Sequence, residues 1–337
     1  MKHCIICSKL TAKKIFKDYP GYIKGLKFDI YHCTNCDTNF INPLEVRREY
    51  YDWIYTGLEL PGYDRYYRYM KKIIQVKQPL RFLSENDQYY YPVFQYLSLN
   101  SNKNLEILDI GCGYGYLTYS MKNLGHDVIG IDISSRAIQI AKKRLGDFFE
   151  NATIEEYFEK SKKRFDLIVA LEIIEHLIDP NTFLSYCSKF LKKNGKIIIT
   201  TPNKSFFKKN RIWETDIPPI HTFWFSKNSL NTLAQKNGFK IRFISFNRYF
   251  TPYQDKLFSY FFNYFYSKMI NEIIPRPLLD ENGDLIKKSF MKPSFLGKTI
   301  HKTINNNKIF NLKIVRKILS KIYGKNEHPY LAALLFR

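Results

Sequence analysis

The sequence lacks any run of about 18 apolar residues, and its amino terminus, Met1 to Cys4, lacks the apolar stretch of a secretory signal. These absences predict a cytoplasmic chain that does not span a membrane.

Acidic residues are also few, because 31 Asp and Glu stand against 53 Lys and Arg, for a formal net charge of +22. The excess favours anionic partners, namely nucleic acid, phosphorylated small molecules or an acidic membrane surface. A lysine-rich composition set by genome base bias is the alternative explanation.

Cysteine is scarce, with six residues, yet four of them form two closely spaced pairs: Cys4 with Cys7, and Cys33 with Cys36. A two-residue gap lets both thiolates of a pair reach one tetrahedral ion, and a second pair completes the shell with no position left for water. The spacing predicts a structural zinc site in a small β-hairpin module; redox-active or disulfide-forming cysteines and unpaired thiols are the alternatives. Two adjoining imidazoles could each replace a sulfur ligand: His3 and His32. The remaining two cysteines are predicted to be buried thiols: Cys112 and Cys187.

A glycine-rich turn joins an apolar strand to a helix in the middle of the chain. The strand begins at Leu105, glycines fall at positions 111, 113 and 115, and the helix is predicted to begin near Tyr116. A nucleotide site requires this order, with glycines that allow close approach and a helix amino terminus that presents N–H groups to a carboxylate. The dinucleotide fingerprint G-x-G-x-x-G does not fit, because Tyr116 occupies the place of its third glycine.

Two acidic residues near this turn favour a cationic nucleotide ligand. Asp109 lies two residues before Gly111, where a carboxylate would repel a pyrophosphate but suit the ammonium and sulfonium end of S-adenosylmethionine. Asp132 ends the next predicted strand, 21 positions after Gly111, where a carboxylate can accept hydrogen bonds from both ribose hydroxyls. Ser134 or Ser135 is predicted to cap the helix that follows.

These motifs resemble those of the class I S-adenosylmethionine-dependent methyltransferases. The resemblance covers residues 104–250, with a closing strand at 330–336, and implies an α/β fold with a Rossmann-like, seven-stranded, mostly parallel sheet. It implies that Ile133 packs on the adenine, that Glu172 lies near the methionine end, and that Asn151 or Ala152 contacts the adenine edge. The cofactor-binding residues that it implies are Asp109, Gly111, Cys112, Gly113, Asp132, Ile133 and Glu172.

The cysteine pairs also resemble the amino-terminal zinc module of a bacterial subgroup found among sugar- and polysaccharide-associated methyltransferases. Ser8 and Asp37 stand where the knuckles of that module commonly carry glycine. The two resemblances together divide the chain into five parts. These are a zinc ribbon (1–42), a helical connector (43–100), a methyltransferase core (101–250), a helical insertion or lid (251–326) and a closing strand of the core sheet (327–337).

Two histidines are candidates for catalysis. Methyl transfer is an in-line displacement that depends mainly on positioning, and it needs a base only where the acceptor must lose a proton. His176 follows the fourth strand of the core, at the carboxyl edge of the sheet. His221 lies in an aromatic loop ahead of a predicted helix at 227–237. His176 could act as a base, with orienting a loop as the alternative. The aromatic neighbours of His221 could form a wall of the acceptor site, with core or loop packing as the alternative.

The predicted function is methylation, on oxygen or carbon, of a small and anionic acceptor such as a sugar nucleotide or glycan precursor. An RNA methyltransferase is an alternative, because a zinc ribbon and a charge of +22 occur together. A non-catalytic protein that binds the cofactor or uses the ribbon for interaction is another. The insertion, with a basic amphipathic pattern at 308–321, is predicted to be a helical lid, and shallow contact with a membrane surface is its alternative.

Overall fold

The computed structural model describes residues 1–56, 64–206, 216–246 and 330–337, and the single residues 212, 249, 277, 279, 280 and 282. Nearly all of the predicted insertion, including the amphipathic pattern at 308–321, lies outside these residues. The α-helices of the described residues are α1 (Arg48–Thr56), α2 (Asp64–Lys72), α3 (Pro79–Asn86), α4 (Tyr91–Ser98), α5 (Tyr116–Lys122), α6 (Ser135–Leu145), α7 (Ile154–Lys160), α8 (Pro180–Phe190) and α9 (Lys227–Lys236). The strands are β1 (Ala12–Pro20), β2 (Lys27–Cys33), β3 (Asn39–Asn42), β4 (Glu106–Ile110), β5 (Asp127–Asp132), β6 (Phe149–Asn151), β7 (Phe165–Leu171), β8 (Leu191–Pro202), β9 (Phe223–Trp224), β10 (Lys240–Phe243) and β11 (Tyr330–Phe336).

Seven strands form the central sheet, in the order β10-β11-β8-β7-β4-β5-β6. Neighbouring strands from β8 to β6 are parallel, whereas β11 runs antiparallel to both β8 and β10. The predicted Rossmann-like, mostly parallel α/β sheet is therefore confirmed. The chain winds outward from β4 first towards β6 and then towards β8, so the order of strands reverses between β4 and β7. Open α/β sheets bind ligands at such a reversal, outside the carboxyl ends of the strands.

Apolar side chains on both faces of the strands explain why the sheet is covered on both sides. In β7, Leu167 and Val169 pack on one face with helices α3, α4 and α5, while Ile168 and Ala170 pack on the other face with α8. A parallel strand that is buried on both faces reads as a continuous apolar run, as β7 does. None of the described helices is long and apolar enough to cross a membrane.

The amino-terminal module forms a second sheet, in the order β1-β2-β3-β9. Its first three strands are antiparallel neighbours, in place of the predicted hairpin. The fourth strand belongs to the core: Asn39 pairs with Trp224, and Phe40 pairs with Phe223. Buried side chains of the module, including Ile6 and Phe40, share one hydrophobic cluster with those of the core. The module is therefore joined to the core by both backbone pairing and side-chain packing.

Serine side chains fix the start of two core helices, as the sequence predicts. Ser134 Oγ accepts a hydrogen bond from the Ala137 N–H at 3.2 Å, so Ser134 rather than Ser135 caps α6. Ser226 caps α9 in the same way. Both caps set the direction in which a helix leaves the carboxyl edge of the sheet.

Candidate functional site

The glycine-rich loop after β4 needs glycine at two positions for both conformation and space. Gly111 and Gly113 have φ angles of 75° and 53°, in the left-handed region that side chains disfavour. A Cβ atom at Gly111 would lie 2.0 Å from Cδ1 of Ile173, and one at Gly113 would lie 2.6 Å from the hydroxyl of Tyr55. The loop is therefore packed closely between the end of β7 and helix α1.

Four N–H groups of this loop bond within the protein, whereas the N–H groups at the start of α5 remain the predicted donors for a carboxylate. The N–H groups of Gly111 and Cys112 both donate to the carbonyl of Ile131, at 2.8 and 3.1 Å. The Gly113 N–H donates to Asp132 Oδ2 at 2.8 Å, and the Gly115 N–H donates to the carbonyl of Cys112 at 2.9 Å. The first three of these bonds tie the loop to the end of β5, so these four N–H groups are not available to an anionic ligand.

Two buried carboxyl groups anchor the loop. Asp109 accepts a hydrogen bond from Thr118 Oγ1 at 2.6 Å, which holds α5 against β4, and burial raises the pKa of Asp109 to about 7. Asp132 accepts from Gly113 and, through Oδ1, from the Ser134 N–H at 2.8 Å. Burial raises the pKa of Asp132 to about 6. Each oxygen of Asp132 keeps a second lone pair, so the carboxylate can still accept bonds from a diol.

The other residues expected at the cofactor differ in what they present. The thiol of Cys112 points into a buried cluster with Phe149, so only its backbone faces the loop. Ile133 is half-buried beside Asp132 and retains an accessible apolar surface. The side-chain amide of Asn151 and the N–H of Ala152 both donate to the carbonyl of Asp132, at 2.9 and 3.1 Å. Both candidate adenine-edge residues therefore serve first to hold the end of β5.

Glu172, directly after β7, has features of a ligand-binding residue. Its φ angle of 55° is strained for a side chain with a Cβ atom, and such strain is concentrated at functional sites. Burial raises its pKa to about 8. Among the described residues, Oε1 of Glu172 has no hydrogen-bond partner. A donor or cation brought by a ligand would satisfy it.

His176 and His221 meet at the same edge of the sheet. Their ring centroids lie 4.6 Å apart with the planes at 86°. Nδ1 of His176 lies 2.6 Å from the carbonyl oxygen of Ile220, so Nδ1 carries the proton and Nε2 keeps its lone pair. Burial lowers the pKa of His176 to about 4 and holds the pKa of His221 well below its usual range, so both rings are neutral at pH 7. The structure thus brings together the two histidines that the sequence singles out.

Glu175 completes this group. One of its carboxyl oxygens lies 3.9 Å from Nε2 of His176, and burial raises the Glu175 pKa well above its usual range. One donor atom from each of Glu175, His176 and His221 lies within 4.8 Å of the others, a carboxylate and two imidazoles that suit a divalent cation. Both carboxyl oxygens of Glu175 lack a hydrogen-bond partner among the described residues.

Helix α1 covers both halves of the site, which the sequence analysis missed. The Tyr51 ring meets the His176 ring edge-on at 6.0 Å, and the Tyr55 ring packs against Tyr114 at 5.0 Å. Asp52 accepts a hydrogen bond from Ser134 Oγ at 2.5 Å, beside Asp132. The three residues lie on one face of a helix, and the aromatic pair at i and i+4 is the signal that could have revealed them.

The four paired cysteines converge at the amino-terminal module. Their Sγ atoms all lie within 4.8 Å of one another, and the Cys4–Cys36 and Cys7–Cys33 pairs are each 3.6 Å apart. These distances exclude disulfides and approach the about 3.8 Å between ligands of a tetrahedral ion with Zn–S bonds of about 2.3 Å. The two neighbouring imidazoles bond elsewhere, to Ser8 and Asn39. Four thiolates suit zinc without a nitrogen ligand.

Comparison with known proteins identifies the central part of the chain. Residues 82–242 match the family model described as a methyltransferase domain. Residues 82–242 form a methyltransferase domain. This methyltransferase domain contains the glycine-rich loop, Asp132, Glu172 and both histidines, so the predicted enzyme class is confirmed for the domain. The roles of the individual residues remain predictions.

Two curated relatives match the same methyltransferase domain. The ubiquinone biosynthesis O-methyltransferase of Pelagibacter ubique is 44% identical over 108 residues, which are 31% of this chain and 44% of that protein. The mitochondrial human enzyme of the same name is 33% identical over 157 residues, 41% of this chain and 42% of that protein. The chain therefore matches less than half the length of each of these relatives. A solved S-adenosylmethionine-dependent methyltransferase from Archaeoglobus fulgidus covers 81% of this chain and 99% of its own, with a TM-score of 0.43 and 18% identity.

Proposed function

We propose that the protein is an S-adenosylmethionine-dependent methyltransferase that methylates a hydroxyl group of a small molecule. The observation that carries the proposal is the meeting of Glu175, His176 and His221 at the reversal point of a methyltransferase sheet, beside the glycine-rich loop. The reversal point is where a ligand of this fold binds. A hydroxyl acceptor is supported by the histidine pair, since a neutral imidazole can take the proton that a hydroxyl must lose.

The carboxyl groups of the site fit a cationic cofactor. Asp132 retains acceptor lone pairs for ribose hydroxyls, and the unpartnered Oε1 of Glu172 suits an ammonium group. The pKa values of about 7 for Asp109, about 6 for Asp132 and about 8 for Glu172 are raised by burial in the ligand-free protein. A bound positive charge would favour ionisation of all three. When bound, S-adenosylmethionine would supply a methyl group activated by its sulfonium.

His176 is the proposed general base. Its Nδ1–H is held by the carbonyl of Ile220, so the ring orientation is fixed and the Nε2 lone pair is available. In the proposed transfer, Nε2 would accept the hydroxyl proton while the acceptor oxygen bonds to the methyl carbon and the bond from that carbon to sulfur breaks. His221 packs against the ring and limits its rotation. The Tyr51 ring contacts the His176 ring edge-on.

Two further observations support the proposed class of acceptor. The relatives that match the domain are named as O-methyltransferases, which favours transfer to oxygen over carbon. The amino-terminal module resembles that of sugar-associated methyltransferases, so a sugar nucleotide or glycan precursor is the narrower proposal. The relatives are named for ubiquinone biosynthesis, so a hydroxyl of a ubiquinone precursor is the alternative that an acceptor screen must include.

Zinc bound by Cys4, Cys7, Cys33 and Cys36 is the proposed structural cofactor. Hydrogen bonding from the Cys4 thiol lowers the pKa of Cys36 to about 5, which favours the thiolate form that binds a metal ion. A closed four-thiolate shell leaves no position for substrate, so the ion would act through the fold.

The test is calorimetric titration with S-adenosylhomocysteine, beside a matched titration with NAD. Micromolar binding of the former alone supports the proposal, and NAD binding alone would overturn it. Methyl transfer is then measured with a panel of sugar nucleotides, catechols and an RNA transcript. Parallel assays with EDTA or added Mn²⁺ show whether the donor set at Glu175 requires a cation. Turnover of RNA alone would reassign the acceptor.

A further inference from the structure

Arg65, near the start of α2, is a half-buried cation without a complete set of partners. Its guanidinium lies over the rings of Tyr66 and Tyr89, at 5.0 and 5.4 Å from their centroids. Its Nη2 donates to the Tyr66 hydroxyl at 3.2 Å. Its Nε is shielded from solvent and has no hydrogen-bond partner among the described residues. Asp87 is the nearest recorded counter-charge, at 3.7 Å, which is too long for a hydrogen bond.

Asp87 does not complete the hydrogen bonding of Arg65, because 3.7 Å between Oδ2 of Asp87 and Nε of Arg65 is the distance of an ion pair and too long for a hydrogen bond. The hydroxyl of Tyr69 donates a hydrogen bond to Oδ2 of Asp87, the same oxygen that faces Nε of Arg65. The side chain of Arg65 nevertheless keeps 30% of its surface accessible. A buried N–H group without an acceptor costs free energy. A ligand that reaches the accessible part of the guanidinium could supply the acceptor.

Arg65 lies at the same edge of the sheet as the proposed cofactor site. Burial raises the pKa of Glu172, and Arg65 opposes that rise, so the guanidinium is within electrostatic range of the carboxyl. Tyr66, under the guanidinium, stacks on Tyr116 at 6.5 Å, and Tyr116 begins the helix after the glycine-rich loop. Tyr89 packs at 5.8 Å against Tyr330, which pairs with the last residue of β8.

The site contains buried hydrogen-bond donors and a buried acceptor that lack partners among the described residues. Arg65 Nε and the Tyr89 hydroxyl are buried without a partner among the described residues, and so is the acceptor Oε1 of Glu172. An amino-acid zwitterion would supply a carboxylate for the two donors and an ammonium for the acceptor. The N–H groups of the glycine-rich loop at 111, 112, 113 and 115 are already used internally, whereas Arg65 and Tyr89 offer side-chain donors for that carboxylate.

We propose that Arg65 is the receptor for a ligand carboxylate at the carboxyl edge of the sheet, with Tyr89 as a second donor. The proposal rests on the proposed function. The carboxylate can come from the amino-acid end of the cofactor or from an acidic acceptor. Arginine suits either source, since its planar fork binds a carboxylate through two parallel hydrogen bonds.

The experiment compares S-adenosylhomocysteine with its decarboxylated analogue by calorimetry. If the cofactor supplies the carboxylate, the wild-type protein binds the analogue about 10- to 100-fold more weakly. Arg65→Gln and Tyr89→Phe then weaken S-adenosylhomocysteine and leave the analogue unchanged, while Arg65→Lys restores part of the affinity. Arg68→Gln, an exposed arginine on the same helix, is the matched control and should change neither.

A second comparison identifies an acidic acceptor. With S-adenosylhomocysteine bound, the wild-type protein is titrated with UDP-glucuronate and UDP-glucose, which differ by a carboxylate. A preference for UDP-glucuronate that Arg65→Gln abolishes assigns the carboxylate to the acceptor.

The proposal is overturned if the wild-type protein shows no carboxylate preference in either comparison, a result that needs no variant to fold. It is also overturned if Arg65→Gln weakens both members of each pair equally, because Arg65 would then serve only to hold Asp87 and the tyrosines. Failure of the wild-type protein to bind S-adenosylhomocysteine at all would instead refute the proposed function.

Discussion

Thr222 is hydrogen-bonded twice to the carbonyl oxygen of Glu175, from its N–H at 2.8 Å and from its hydroxyl at 2.9 Å. The carbonyl of Thr222 accepts in turn from the N–H of Ile41 at 3.0 Å. Ile41 lies in β3 of the cysteine module, and Thr222 follows His221 directly. A continuous line of buried hydrogen bonds therefore joins the cysteine module to both histidines of the proposed acceptor site.

Thr222→Val should loosen this connection without changing side-chain shape. The hydroxyl also donates to the carbonyl of Leu177 at 2.6 Å, so its removal leaves that carbonyl buried without this donor. We expect the free energy of unfolding to fall by about 1–3 kcal/mol. We expect kcat to fall while the Kd for S-adenosylhomocysteine is unchanged. Thr232→Val removes an exposed hydroxyl bonded within α9 and is the control; equal effects of the two substitutions would argue against the connection.

Cys4→Ser should lower bound zinc and the unfolding temperature together, because one thiolate of the four is lost. Metal content by mass spectrometry and thermal unfolding are the measurements. Cys187→Ala supplies the contrast, since this buried thiol lies outside the cysteine cluster and its loss should reduce stability without reducing zinc. Unchanged zinc in Cys4→Ser would eliminate the four-thiolate site.

Asp132→Ala should weaken S-adenosylhomocysteine binding by about 100-fold, because the charged acceptor for the ribose hydroxyls is removed. A moderate loss of stability should accompany it, since the N–H groups of Gly113 and Ser134 lose their partner. Calorimetric titration measures the first effect and denaturant unfolding the second. Asp127→Asn, at the exposed start of the same strand, should leave binding unchanged; wild-type affinity in Asp132→Ala would refute the ribose assignment.

His176→Asn should lower kcat by about 100- to 10,000-fold, the contribution of a general base. Asparagine keeps a donor near the position of Nδ1, so the bond to Ile220 can persist while Nε2 is lost. The Kd for S-adenosylhomocysteine should not change. In the wild-type protein kcat should fall only below about pH 4, where His176 with its pKa of about 4 takes up a proton. An inflection of kcat near pH 7 would point to another base.

The affinity for S-adenosylmethionine should rise with pH between about 6 and 8. The pKa values of Asp132, Asp109 and Glu172 are about 6, 7 and 8 in the ligand-free protein, so these groups ionise over this range and their negative charge attracts the sulfonium. Calorimetry in buffers of different ionisation enthalpy should detect proton release on binding. The affinity for S-adenosylhomocysteine, whose sulfur carries no charge, should depend less on pH. An equal pH dependence of the two affinities would contradict the explanation.

The same groups make the ligand-free fold less stable at high pH. Their folded-state pKa values are raised, so the folded protein binds more protons than the unfolded chain, and the free energy of unfolding falls as pH rises from about 4 to about 8. Thermal unfolding without ligand should show this decline, and saturating S-adenosylmethionine should reduce it.

Much of the fold could be predicted because its signals are local. The apolar runs of β4, β5, β7 and β11 and the capping serine at 134 each depend on neighbouring residues, and the structure places these elements where the sequence indicates. Strand β9 had no such signal. Two residues, Phe223 and Trp224, pair with β3 over some 180 positions of sequence, and nothing in their local pattern specifies that partner.

The sequence by itself determined the order of strand, loop and helix, the paired cysteines and the acids that follow the glycine-rich loop, because spacing along one chain fixes them. Only the tertiary structure decided that four loop N–H groups bond internally, that His176 and His221 meet across 45 positions, and that Tyr55 packs against the loop. These facts depend on how helices pack over the edge of a sheet. Packing of that kind is set by the shapes and polar partners of many distant residues together.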